Sequence, residues 1–205
     1  MHLKKKMIRK ILKIFILIFI LPNISIAKQN NVLNIGSEEA KVVVKVFSSL
    51  TCPHCADFHK KIFVELKKDY IDTKKVKFEH HGFPLDLAAL NAEIILRSIK
   101  NKEKSFKFLT EIYKKQNQWA VGSDINKIND SIKKIGLDFG LDSKTIELSL
   151  KDEKIQDQIL NERIEAQKKY KIESTPTIYI NEKKYEGKHD YKKFKKELEK
   201  ILTKT

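Results

Sequence analysis

Cysteine is scarce in this chain. Only two of its 205 residues are cysteines, Cys52 and Cys55, so neither thiol has any other disulfide partner within the molecule. A second Cys-X-X-Cys is absent, and so is any His-X3-His pair. Zinc typically takes four ligands with a recognisable second pair. His54, His59, His80 and His81 beside the two thiols therefore do not make a metal site, and no metal or other cofactor is expected. No internal repeat and no low-complexity tract is present after the first segment. An aromatic-basic RNA-binding signature is also missing. The lysines, although numerous, are scattered singly and in pairs among glutamates, which describes a solvated surface and not a nucleic-acid interface.

Acidic residues are absent from the first segment, where Lys4, Lys5, Lys6, Arg9, Lys10 and Lys13 make a cationic start. The apolar run that follows, Ile14 to Leu21, stops short of the roughly 20 residues a membrane span needs, and Pro22 and Asn23 break it. Ser25-Ile26-Ala27 offers small residues where a signal peptidase cuts. Residues 1–27 are expected to be a secretory signal peptide, cleaved after Ala27. The formal charge then falls from +15 to +9. The remaining chain, Lys28 to Thr205, suffices for one domain or one domain with an insertion. It is expected to be periplasmic, in a compartment where disulfides persist.

Both cysteines lie in Cys52-Pro53-His54-Cys55. The pair follows a valine-rich run, Lys41 to Phe47, that reads as a strand buried on both faces. It opens a helical pattern, Pro53 to Tyr70, in which Phe58, Ile62, Leu66 and Tyr70 recur every four residues. A thiolate at a helix start gains from unpaired backbone N–H groups and the macrodipole. Pro53 suits the first helical turn because it lacks an N–H that would be orphaned there. His54 offers a cation or donor beside the sulfur. Cys55, one turn further in and nearer Phe58, is the shielded partner. The competing reading is a disulfide that merely staples the fold, but so short a loop contributes only about 2 kcal/mol, and a domain of this size builds its core without one.

Further along, Val76, Phe78 and His80 alternate with polar residues, which gives a second strand and a right-handed strand-helix-strand unit with a parallel pair. From Leu85 to about Tyr170 only helices are expected: Asp86 to Lys100, Lys104 to Gln116, Ile125 to Ile135, Lys144 to Leu150 and Asp152 to Tyr170. Trp119 and Val121-Gly122-Ser123 fall in a loop, and Gly136 stands where a helix-ending glycine would. A strand returns at Thr177 to Ile180, followed by a turn around Asn181, a short strand near Lys184 to Glu186, and a last helix capped by Asp190.

The strand, the Cys-X-X-Cys at a helix start and the later Ser174-Thr175-Pro176-Thr177 before a hairpin resemble the thioredoxin fold. The helical insertion, the Cys-Pro-His-Cys sequence and the export signal narrow the resemblance to the DsbA family of thiol-disulfide oxidoreductases, over Val32 to Ile201. Phe58-His59, Phe83-Pro84 and Gln116 to Trp119 match as well. The expected fold class is α/β, a thioredoxin fold with an inserted all-helical domain: residues 28–84 and 171–205 form the thioredoxin-like part and 85–170 the insertion. The resemblance implies a redox-active Cys52–Cys55 disulfide, with Pro53 and His54 between its cysteines. It also implies a cis Pro176 packed beside that disulfide, and a Thr175 backbone that pairs with an extended substrate. The implied partners are folding exported proteins with free thiols and a quinone-linked membrane reoxidant of the DsbB type; the chain is expected to be monomeric.

Three positions depart from the family pattern. Val46 stands six residues before Cys52, where family members commonly carry a buried carboxylate. Thr175 precedes the proline where several strong oxidases have valine, and the hairpin Asn181-Glu182-Lys183-Lys184 lacks its usual glycine. The sequence thus supports an exported enzyme, a dithiol oxidase before an isomerase or reductase, with a non-enzymatic thioredoxin-fold binding module or chaperone as the alternative class. Only Lys28 to Gly36 precedes the core, little room for the dimerisation module that isomerases usually carry.

Overall fold

The computed structural model describes residues 32–204. The signal peptide assigned to residues 1–27 lies outside the described residues. Five strands form one sheet: β1 (Leu33–Ile35), β2 (Val42–Ser48), β3 (Val76–Gly82), β4 (Thr177–Ile180) and β5 (Lys183–Lys184), in the order β1-β3-β2-β4-β5. β2 and β3 run parallel, with Val46 opposite His80, and β4 lies antiparallel to β2. This is the mixed sheet of a thioredoxin fold. The crossover from β2 to β3 carries the first helix and sets Cys52 just past the end of the central strand.

On one face of β2 Val42, Val44 and Val46 are buried; on the other Val43 and Lys45 are half-buried and Phe47 is buried, packed with Phe83 and Ile172. The strand is therefore buried on both faces at its C-terminal end, as expected, and only partly so on the second face nearer its start, where Lys45 runs its apolar stem over the sheet and pairs with Glu182 at 2.7 Å. β1 escaped the sequence reading: three residues with Asn34 in the middle are too short for a period to show.

The first helix, α1, begins as an α-helical segment, Pro53–Phe58, and continues through π-helical turns at His59–Phe63 and Lys67–Ile71, separated by Val64–Leu66. The spacing of four explains the widened turns. An α-helix overshoots by about 40° in every four residues, so Phe58, Ile62, Leu66 and Tyr70 would rotate off one face. Wider turns cancel that drift, and all four side chains are buried against the sheet.

Seven further helices are described: α2 (Leu87–Ser98), α3 (Lys102–Lys114), α4 (Gln116–Trp119), α5 (Ile125–Asp138), α6 (Ser143–Leu150), α7 (Glu153–Tyr170) and α8 (Tyr191–Leu202). Asp86, Asn101, Asp124, Asp142, Asp152 and Asp190 cap α2, α3, α5, α6, α7 and α8, each accepting a backbone N–H through its side chain. Two readings are corrected. Trp119 lies in the α4 turn and is buried, not in a loop. Gly136 does not end α5; it lies inside the helix, where a Cβ would come within 2.8 Å of Ile146 Cδ1. The helix-ending glycine is Gly140, at φ +85°, with Leu141 N–H returning to the Gly136 carbonyl at 2.9 Å.

A continuous apolar core joins these layers. It runs from Val44 and Val46 of the sheet through Phe58 and Ile62 to Phe108, Ile112, Trp119, Ile132 and Ile146 of the inserted helices. The insertion therefore packs against the sheet unit through shared buried side chains, and this holds α3 and α4 against the start of α1.

Candidate active site at the start of the first helix

Cys52 is the N-cap of α1, extended at φ −77° and ψ 119°, with Pro53 in the first helical position. Its carbonyl accepts the N–H groups of Cys55 and Ala56 at 3.1 and 3.2 Å, which closes the first turn and brings Cys55 beneath it. Both cysteines are free thiols in this structure, Cys52 8 % exposed and Cys55 1 %.

The two sulfurs are held in opposite states. The Cys52 pKa is lowered to about 5, first by a hydrogen bond from the Cys55 thiol. Burial works against this, while the Thr175 hydroxyl and the backbone N–H groups of Cys55 and His54 add to it. Cys55 is pushed well above the usual thiol range by burial, then by the hydrogen bond and charge of Cys52. One sulfur is thus disposed to be a thiolate at neutral pH and the other to keep its proton.

The Thr175–Pro176 peptide bond is cis. Across the site the Cys52 thiol donates to the Thr175 carbonyl oxygen at 3.2 Å. The Thr175 hydroxyl is buried without a hydrogen-bond partner. Its influence on both cysteines places it to donate to a sulfur that has lost its proton. Gln116, from α4, donates through Nε2 to the carbonyls of Leu50 and Cys52 at 2.7 and 3.1 Å, tying the insertion to the turn before α1.

Two clefts flank Cys52. One, of about 390 Å3, lies on the side of Pro176 and is lined by His54, Thr175, Tyr185, Glu186 and His189. The other, of about 670 Å3, runs past Cys52 and Pro53 to Leu85, Leu87, Ala120 and Ile125, where Leu85 and Leu87 are each 53 % exposed. Pro53 and His54 are exposed on the rim. The contribution of His54 to Cys52 comes from its backbone N–H. His59 turns inward instead: its Nε2 lies 2.9 Å from the Thr110 hydroxyl, and burial, with His80 nearby, lowers its pKa to about 3.

All six residues singled out in the sequence, Cys52, Pro53, His54, Cys55, Thr175 and Pro176, meet at this one place. The sequence reading missed two contributors. Gln116 was noted only as a matching residue, and the Thr175 hydroxyl was overlooked for its backbone. A glutamine in a short helical turn carries no spacing signal, since its role depends on how α4 docks.

A sheet of this order, with a cysteine pair at the first helix start facing a cis proline, defines a thioredoxin-fold protein of the thiol-disulfide exchange class. A family model described as Thioredoxin matches residues 28–200. Disulfide bond formation protein D of Bacillus subtilis is 31% identical over 180 residues, 82% of this chain and 76% of that one. A Rickettsia bellii relative is 32% identical over 151 residues, 74% of this chain. The match takes in 57% of that protein, so the chain spans little more than half the length of such rickettsial relatives. Among solved structures, α-DsbA1 of Wolbachia pipientis superimposes with a TM-score of 0.80 at 26% identity, over 85% of this chain and 92% of that one. The chain belongs to the thioredoxin family, in its DsbA-type branch.

Proposed function

We propose that the protein is an exported thiol-disulfide oxidoreductase, a dithiol oxidase that introduces disulfides into folding proteins through Cys52 and Cys55. The observation that carries this reading is the opposed state of the two sulfurs, Cys52 lowered to about 5 and Cys55 raised. Stabilising the Cys52 thiolate favours the reduced enzyme, which makes the disulfide form the stronger oxidant. The cycle has two exchanges. A substrate thiolate attacks Cys52 Sγ of the disulfide, the Cys52–Cys55 bond breaks, and Cys55 takes the electron pair. The substrate's second thiolate then attacks the substrate sulfur of the mixed disulfide, and Cys52 leaves as a stabilised thiolate. The substrate departs oxidised and the enzyme reduced by two electrons.

Substrate binding is assigned to Thr175 and Pro176, with the extended chain lying across Cys52 between the two clefts. The exposed Leu85 and Leu87 suit unfolded segments with apolar residues near the reacting cysteine. Export follows from the sequence of residues 1–27, and the protein acts as a monomer in the periplasm. Reoxidation falls to a quinone-linked membrane partner of the DsbB type.

The test is the redox equilibrium of the purified protein in glutathione buffers, scored by thiol alkylation. A potential well above that of the glutathione pool is expected. A strongly reducing potential would overturn the oxidase assignment in favour of a reductase or isomerase. Cys52→Ser separates enzyme from binding module: turnover vanishes for the enzyme, whereas a module with a static disulfide keeps its binding.

A further inference from the structure

The lysines near the end of the chain look scattered in sequence, yet the fold gathers several of them on one face. In α8 (Tyr191–Leu202) successive residues turn by about 100°, so Lys192, Lys193, Lys196 and Lys200 share one arc of about 100°. All four are exposed, and the arc lies opposite Phe194 and Leu198, which are fully buried. Lys195 falls outside it, paired with Asp69 at 3.1 Å, and Glu199 turns away to accept the Tyr70 hydroxyl at 2.8 Å. The stripe continues past the helix. A cleft of about 420 Å3 between α8 and the β4–β5 hairpin is lined by Ile180 and Ile201 together with Lys183, Lys184, Lys188 and Lys193.

Few acidic groups answer these charges. Glu186 pairs with Lys184 at 3.2 Å, and Glu197 pairs with Lys200 at 3.2 Å and with Lys183 at 3.9 Å. Asp190 caps α8, and Glu182 is turned to Lys45. Lys188, Lys192, Lys193 and Lys196 have no ion pair among the described residues. The kind of cation is informative. An ammonium is a compact point charge on a flexible stem, without the planar fork by which arginine reads one carboxylate or phosphate. The arc also carries no aromatic ring on which a base could stack. Such a face matches a dense sheet of anionic headgroups, which rewards charge density and not register.

We propose that this lysine face docks on an anionic lipid bilayer and holds the active site at the membrane surface. The purpose of the docking rests on the exported exchange function proposed above, whereas the docking itself rests on the lysines alone. Lys184, Tyr185, Glu186 and Gly187 line both this cleft and the one beside Pro176, so the face adjoins the approach to Cys52. A bilayer held there puts the cysteine pair beside exported chains as they emerge. Attachment is peripheral and reversible. The apolar side of α8 stays in the core, and among the described residues no helix is long and apolar enough to cross a membrane.

The test is flotation with vesicles of phosphatidylcholine, alone or mixed with phosphatidylglycerol. Residues 32–205 form a compact unit by themselves, so residues 28–205 are used, free of the apolar run Ile14 to Leu21. Binding is expected only with phosphatidylglycerol, and it should vanish in roughly 1 M salt, where the screening length is about 3 Å. Lys192→Gln, Lys193→Gln, Lys196→Gln and Lys200→Gln combined should weaken binding about 10³-fold, about fivefold for each lysine. A control with the same loss of charge on the insertion, Lys127→Gln, Lys144→Gln, Lys151→Gln and Lys154→Gln, should bind nearly as the wild type does. No binding by the wild type would overturn the proposal. Equal loss in both variants would also overturn it, since that is the mark of net charge without a face. So would unaltered vesicle binding in the α8 variant with weakened binding to polyglutamate, which would assign the face to an acidic protein. Exchange with oxidised glutathione, followed without vesicles, should be equal in all three proteins. It reads the exchange function separately, so a failure of exchange and a failure of docking are told apart.

Discussion

Cys52 donates its thiol hydrogen to the carbonyl oxygen of Thr175 at 3.2 Å, a contact between residues 123 apart in sequence. It joins the start of α1 to the loop before β4, and it exists only while Cys52 is protonated. A thiolate facing the same carbonyl is repelled. The Thr175 hydroxyl, buried and unpaired in this state, is the group that can answer the new charge. One residue therefore serves the thiol through its backbone and the thiolate through its side chain.

The first prediction concerns that hydroxyl. Cys52 should react with iodoacetamide at a rate nearly level across neutral pH and falling as pH drops through about 5, while Cys55 stays unreactive. Thr175→Val deletes the donor and keeps the shape, so the midpoint of this profile should move upward. An unmoved midpoint would remove Thr175 from the electrostatics of the site, whatever its role in substrate contact.

Reduced and oxidised forms should differ in how stability follows pH. Cys52 has a folded pKa of about 5 against an ordinary thiol value of 9.0, so it contributes stability to the reduced form alone. That contribution is complete above 9.0, declines as pH falls toward 5 and is absent below it. In the disulfide neither sulfur titrates. The thermal midpoint of the reduced protein should therefore approach or fall below that of the oxidised protein on acidification, with the difference changing throughout the window from 9.0 down to about 5. A constant difference over that range would contradict a thiolate stabilised by the fold.

Sequence alone revealed what is local or periodic. The Cys52–Cys55 spacing, the proline at the helix start, strand β4 and the Asp190 cap all depend on near neighbours or on a short repeat, and each stands where expected. What stayed hidden depends on the meeting of distant elements. Val46, at the position where a buried acid was looked for, is indeed apolar, but its partner across the parallel ladder is His80. That histidine is met by Glu93 from α2, a carboxylate whose burial nothing in its own segment announces, since Leu87–Ser98 is buried nearly all round. Gly136 misled for the same reason: its need for space comes from Ile146 on another helix.

Gln116 supplies a third prediction. Its amide meets the Leu50 and Cys52 carbonyls at 2.7 and 3.1 Å, both in the turn that aims the cysteine pair. Gln116→Leu retains bulk and leaves these acceptors without that donor, a cost of about 1–3 kcal/mol. Because the loss falls at the start of α1, Cys52 reactivity should become less uniform while the helices elsewhere persist. Urea unfolding together with the alkylation profile checks this, and a variant unchanged in both would show that the insertion does not support the site through Gln116.

The buried carboxylate gives the last prediction. Burial alone would raise the Glu93 pKa, yet His80 and Arg97 hold it well below the usual carboxylate range. Its stabilising contribution is present above the ordinary value of 4.5 and is lost as pH falls toward the folded value. Glu93→Gln breaks the pair with Arg97 at 2.8 Å and leaves a guanidinium that is still buried, which typically costs about 3–5 kcal/mol. Gly82 makes the arrangement possible: a Cβ there would lie 2.6 Å from the carboxyl carbon of Glu93. Gly82→Ala should therefore destabilise the fold by displacing the carboxylate, and adding it to Glu93→Gln should cost less than the sum of the two single changes, since both act on one contact. Urea midpoints for the two single variants and the double variant test this, with full additivity as the result that would separate Gly82 from the buried pair.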